Sequence, residues 1–195
     1  MVESVYALDG QVTQRTDQRG TVSTGSISSP TKDADWTLDA LGNWSNYEEK
    51  VSSTTTLDQT RTSNAANEIT DFTNTTGSAW IDPTHDAAGN MTLAPSPTAP
   101  GNSAKDQTYI WDAWNRLVEV KEGETTLASY QYDALHRRIS KVVGEAETHY
   151  HLSEQNQVLE ERDEEDSVLQ EHVWHPYYVD AEAARWDNTG ETAIY

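Results

Sequence analysis

One short pattern recurs along the chain and leaves few folds open. It reads aromatic or apolar, Asp, two residues, Gly or Asn, one residue, apolar. It occurs at Tyr6–Val12, Leu38–Trp44, Ser63–Ile69, His85–Met91, Trp111–Leu117 and Tyr132–Arg138, and in degenerate form at Leu152–Val158. The residue after the aromatic falls at 7, 39, 64, 86, 112, 133 and 153, giving intervals of 32, 25, 22, 26, 21 and 20. A period of twenty-odd residues is the mark of a repeat architecture, in which one unit cannot bury its own apolar face and neighbours must stack or pair.

Each position has a physical reason. An Asp carboxylate accepts hydrogen bonds from backbone N–H groups two residues on, which starts a turn. Gly or Asn three residues later tolerates a positive φ, where a β-branched side chain would clash. Asp39, Asp86, Asp112 and Asp133, with Gly42, Gly89 and Asn115, are therefore read as structural turn residues. Flanking segments carry strand chemistry, as in Gln107–Trp111 before a turn and Arg116–Lys121 after it, or Leu127–Tyr132 and Arg138–Val143 around the next. Val51–Leu57 is β-branched and Thr-rich, and Gln157–Arg162 and Ser167–Trp174 flank a polar tip at Asp163–Asp166. One repeat is thus strand, tight turn, strand. The expected fold is all-β, an antiparallel sheet of successive hairpins. Ala94–Ser103, with three prolines, reads as a loop, and Val179–Trp186 as one short helix, a strand there being the alternative.

Composition limits the partners. Thirty-three acids against 13 Lys and Arg leave a net charge of −20, which disfavours binding to nucleic-acid phosphates or anionic membrane. No run approaches the ~20 apolar residues of a membrane span, and Met1–Gly10 lacks the order of a signal peptide. There is no cysteine, which excludes disulfides, Cys-ligated zinc and thiol nucleophiles. Leu, Ile, Val and Phe number only 31, while seven Trp and nine Tyr supply large rings. The core is expected to be thin and aromatic.

Tyr132-Asp-Ala-Leu-His-Arg-Arg-Ile-Ser-Lys141, with His136 where Gly is usual, resembles the YD repeat of Rhs proteins. Val158–Asp163 through His172–Asp180 resembles the end of the repeat array, where the Rhs core-associated segment begins. The family includes bacterial polymorphic toxins, the C component of Tc toxins, wall-associated YD proteins and teneurins. The resemblance implies a long β-sheet spiralling into a hollow shell that, in the toxins, encloses a C-terminal effector. It is specific over residues 105–187 and looser over 1–104, with 188–195 as a tail. The resemblance places the Asp-Pro-x-Gly type motif associated with self-cleavage beyond the equivalent of Tyr195, and Asp82-Pro83, without the glycine context and in the wrong repeat, does not match it. No catalytic role of the family therefore transfers to a residue here.

Other constellations have bland explanations. His149 and His151 share a strand face, and His172 and His175 could approach them as metal ligands, yet polar rings on a wet sheet face explain them equally. The Asp turns need no calcium, and EF-hand spacing is absent. Glu160–Asp166 is crowded with acids, which a solvated tip explains without glycosidase chemistry. Asn43, Asn74 and Asn90 match the glycosylation acceptor rule in a chain rich in Ser, Thr and Asn. Trp80 and Trp114 are least constrained by the repeat and are the candidates for an exposed ring that stacks on a ligand.

The expected function is structural and non-enzymatic, with no cofactor and no metal: part of a shell in a larger secreted or cell-surface protein. Its partners would be the remaining repeats and the C-terminal effector, with homo-oligomerisation through unpaired sheet edges. The alternative is adhesion to a glycan or surface protein through exposed Trp and acidic loops.

Overall fold

The computed structural model describes residues 2–6, 12–19, 22–23, 26–27, 30–178, 181–188 and 192–194. It is antiparallel β-sheet almost throughout, as the repeat requires, with one short 3-10 turn at Ser103–Lys105. The chain forms two compact units, Met1–Thr108 and Tyr109–Tyr195.

The first unit contains β1 (Val2–Tyr6), β2 (Val12–Arg19), β3 (Val22–Ser23), β4 (Ser26–Ile27), β5 (Lys32–Leu38), β6 (Trp44–Val51), β7 (Thr54–Ser63), β8 (Ile69–Thr76), β9 (Thr84–His85) and β10 (Met91–Ala94). Its main sheet runs β1-β2-β5-β6-β7-β8, and β3 and β4 form a separate small hairpin between β2 and β5. β9 and β10 pair, and β10 pairs in turn with the start of β11 (Gln107–Trp111), Leu93 opposite Thr108.

The second unit continues with β12 (Leu117–Glu122), β13 (Thr125–Tyr132), β14 (Arg138–Val143), β15 (Ala146–Leu152), β16 (Val158–Arg162), β17 (Val168–Trp174), β18 (Glu182–Asp187) and β19 (Thr192–Ile194). Spatial order equals chain order, each strand lying beside the one before it.

Three local readings change. The Val51–Leu57 stretch is interrupted by a two-residue turn, Ser52-Ser53, both at positive φ, because Val51 and Thr54 pair across it. Residues 182–187 form strand β18 rather than a helix, His172 facing Arg185 and Val173 facing Ala184. So short a segment gains little from helix formation alone, whereas β17 offers a complete row of partners. Residues 188–195 include β19, which pairs Ala184 with Ile194. The first turn motif, over residues 7–11, lies outside the described residues.

Burial is slight. Among the described residues the buried apolar side chains are Ala34, Ala94 and Ala128, and the most deeply buried large one is polar, Gln59 at 0% exposure. Gln59 is satisfied by donating to Asn74 Oδ1 and accepting from Arg61 Nε. Rings do the packing that aliphatic residues usually do: Trp36 lies 5.8 Å from Trp44 and 5.4 Å from Tyr47, while Phe72 meets Trp80 edge-on at 5.5 Å. The Arg61 guanidinium sits among Trp44, Tyr47, Phe72 and Trp80.

Candidate functional site

Among the described residues the repeat builds the same five-residue turn each time. At Asp39 the backbone N–H donates to Asn43 O and its carbonyl accepts from Gly42 N–H, while carboxylate Oδ1 accepts from Leu41 N–H at 2.8 Å and Asn43 N–H at 2.9 Å. Asp86 repeats this with Ala88 and Asn90, Asp112 with Trp114 and Arg116, and Asp133 with Leu135 and Arg137. Asn64 does so through its amide oxygen and Ser153 through its hydroxyl. The fourth residue is always left-handed: Gly42 (φ 84°), Asn67 (63°), Gly89 (85°), Asn115 (59°), His136 (65°) and Asn156 (66°). Dense hydrogen bonding to the carboxylates outweighs the small burial that opposes ionisation. At Asp39 and Asp86 the side-chain amides of Asn43 and Asn90 lower the pKa most; at Asp133 it is the Arg137 backbone N–H. At Asp112 burial raises it, but the Arg116 contacts prevail and the pKa is lowered.

Successive turns are tied to one another. Arg116 Nε donates to Asp112 Oδ2 at 2.7 Å and its Nη1 reaches Asp133 O at 3.1 Å. Arg137 does the same one repeat on, to Asp133 Oδ2 at 2.6 Å and Ser153 O at 3.0 Å. In the first unit Asn43 plays this part, donating to Asp39 Oδ2 and to Asn67 Oδ1 of the next turn. The aromatic position also looks backward, Tyr132 OH donating to Leu117 O at 2.8 Å, and Trp174 at the end of β17 likewise donates its Nε1–H to Val158 O at 2.6 Å. The opposite ends of the hairpins close differently, with two-residue turns at Gly123-Glu124 and Gly144-Glu145, where only the glycine has positive φ.

Two features go beyond the sequence reading. The polar tip at Asp163–Asp166 is a turn of the same kind as the repeat turns, Asp163 Oδ1 accepting from Glu165 and Ser167 N–H with Asp166 at φ 63°. It lies only ten residues after Ser153, at the end where glycine turns otherwise sit, and so out of step with the period. The signal was there: Asp163, then Asp166 where Gly or Asn is usual, then Val168. The arginine ties are the second, since they depend on which turn lies alongside.

The remaining candidates are placed as follows. His172 Nδ1 lies 2.5 Å from Glu182 Oε1, and its Nε2 is 3.9 Å from Glu161 Oε1. His149 Nε2 is 3.5 Å from Glu147 Oε1, His151 is exposed, and the His175 ring packs by Tyr177 and Tyr178. Among the described residues no three His or acidic side chains converge as metal ligands. Within Glu160–Asp166, Arg162 is held between Glu160 and Asp166. Trp80 is half-buried against Phe72, whereas Trp114 is 65% exposed at the tip of its turn. No helix among the described residues is long and apolar enough to cross a membrane.

Comparison with known proteins agrees with this geometry. Residues 111–149 match the family model described as RHS Repeat. No curated protein sequence matches the chain. Among solved structures, the fold is similar to that in TcdB2-TccC3-TEV, with TM-score 0.56 and 11% identity over 99% of this chain and 12% of that one. It is also similar to TcdB2-TccC3, with TM-score 0.54 and 13% identity over 97% of this chain and 12% of that one. The chain thus spans about an eighth of the length of these structures, and identity this low speaks for the fold alone.

Proposed function

We propose that this chain is a non-enzymatic wall segment, a run of Rhs-type hairpins contributing part of a shell around a C-terminal effector in a larger secreted or surface protein. The turn ladder carries the reading. The side chains that the repeat selects are committed to backbone N–H groups, to their own arginine or to the next turn, which serves continuity of a sheet rather than turnover of a substrate. Similarity to the TcdB2-TccC3 fold supports the same reading. The test is protease protection of the domain downstream of this segment in the parent protein. Protection in the unaltered parent, lost when Asp112→Ala and Asp133→Ala are combined, is the expected result. A downstream domain cleaved equally fast in both forms would refute enclosure.

The exposure of Trp114 favours a second reading, adhesion to a glycan or surface protein. A glycan array probed with the chain and with Trp114→Ala decides it: signal lost in the variant supports adhesion, and no signal in either removes it.

A further inference from the structure

Arg61, on β7 of the first unit, has no carboxylate partner among the described residues. Arg116, Arg137 and Arg162 each hold an acid within 2.7 Å. Arg61 Nε instead donates to the neutral Gln59 Oε1 at 2.7 Å. Its guanidinium otherwise meets rings, Trp44 at 4.8 Å, Phe72 at 5.3 Å, Tyr47 at 5.9 Å and Trp80 at 6.0 Å. Ring faces attract the cation but leave its Nη hydrogens without an in-plane acceptor. Burial pulls the guanidinium pKa down, opposed by the Tyr47 hydroxyl and by no carboxylate. A cation drawn out of water without a counter-charge costs stability until something pairs with it.

The repeat does not call for this arginine. Two residues before the residue that opens each turn stand Trp36, Tyr109, Tyr130 and Tyr150, with Arg61 and Pro83 as the departures. The next side chain on the same face is Ser63, the smallest at a position that holds Trp111 and Tyr132 in later repeats. Where those repeats set two rings along the strand, this one sets a guanidinium and a hydroxyl.

Arg61 lines a groove of about 350 Å³ between the turns at Asp39 and Asn64, together with Gly42, Asn43, Trp44, Asn67 and Ile69. Trp44 is 43% exposed. Asn43 Nδ2 donates to Asp39 Oδ2 and Asn67 Oδ1, so Asn43 Oδ1 and Asn67 Nδ2 are an acceptor and a donor with no partner among the described residues. The groove between the turns at Asp112 and Asp133, of about 300 Å³ and bordered by Trp114, Arg116, Tyr132 and His136, is different. There the arginine itself makes the tie between turns, to Asp112 Oδ2 and Asp133 O. In the first unit Asn43 makes the tie, and the guanidinium stays uncommitted.

We propose that this groove binds a carboxylated sugar, a uronate residue of an acidic glycan, with its carboxylate on Arg61, its apolar face on Trp44 and a hydroxyl between Asn43 Oδ1 and Asn67 Nδ2. Each feature narrows the class. The guanidinium fork matches a planar carboxylate. A phosphate monoester brings a second charge, while the groove offers one cation in a chain of net charge −20. An amide acceptor beside an amide donor suits a hydroxyl, which donates and accepts. An aromatic wall with a few convergent polar groups is the usual make-up of a small-ligand site. Neither the wall reading nor the exposure of Trp114 enters this inference.

The test is saturation-transfer NMR with titration of the chain by methyl glucuronide, methyl glucoside and N-acetylglutamate. Methyl glucuronide is expected to bind at least ten-fold more tightly than the glucoside, which lacks the carboxylate, and than N-acetylglutamate, which lacks the ring. Arg61→Tyr restores the ring that equivalent repeats carry, so circular dichroism should show the fold kept while glucuronide affinity falls at least ten-fold. Asn67→Gly keeps a residue suited to φ 63° and removes the amide, and should weaken glucuronide binding about three-fold. Equal affinity for glucuronide and glucoside, N-acetylglutamate binding as tightly as the glucuronide, undiminished binding in Arg61→Tyr, or no glucuronide binding at millimolar concentrations would each overturn the proposal. If Arg61→Tyr unfolds, Asn67→Gly decides, and unchanged glucuronide affinity there counts against the site.

Discussion

At His136 the repeat departs from its own rule. The equivalent positions hold Gly or Asn, except for Asp166, and all adopt positive φ, where a side chain meets the backbone. His136 holds φ 65° because Asp133 captures the turn on both sides of it. His136→Gly should therefore stabilise the chain, by about 0.5–1 kcal/mol once the extra freedom of glycine in the unfolded state is deducted. Urea midpoints of the two forms measure this; an unchanged or lower midpoint for the variant would show that the imidazole makes a compensating contact in its groove. This much was legible in the sequence. The Asp133 turn closes within five residues, so its chemistry is local, and the same holds for the turns at Asp39, Asp86 and Asp112.

Between elements the sequence is less explicit. Arg116 and Arg137 look like ordinary surface cations until the sheet sets one turn beside the next, and only then does each guanidinium span its own aspartate and a neighbouring carbonyl. A planar fork with several donors does this; an ammonium at the same place does not reach both. Arg137→Lys should keep attraction to Asp133 but release Ser153 O, at a cost of about 1 kcal/mol. Hydrogen exchange should report faster exchange at the amides of residues 153–157 than at those of 112–116. Uniform change across both turns would argue against a specific tie. Lateral context also explains the Asp163 turn and β18: one is out of phase with the repeat, and the other is Ala-rich sequence whose conformation is decided by β17.

For the molecule as a whole, the lowered pKa values at Asp39, Asp86, Asp112 and Asp133 set a pH dependence. Each carboxylate titrates lower in the folded chain than the ~3.9 of an unfolded Asp, so its contribution is complete above that value and is lost as pH falls through the lowered native one. Stability should hold from pH 7 to 5 as far as these turns are concerned, and fall below about 4. Asp133→Asn should flatten that fall when urea midpoints are compared at pH 5 and 3. The turn at Ser153, built on a neutral hydroxyl, is a natural control that contributes no such slope. A variant with an undiminished slope would place the acid sensitivity elsewhere.

In the second unit each strand is laid beside the one before it, and the few side chains that are buried are small. A sheet assembled this way has no preferred width. Adding or deleting one strand–turn–strand–turn period leaves the register of every earlier strand untouched, because no central core has to be refilled. Length becomes a quantity that gene duplication can change in whole steps, and a protein built from such a strip can alter what it spans by counting rather than by redesign.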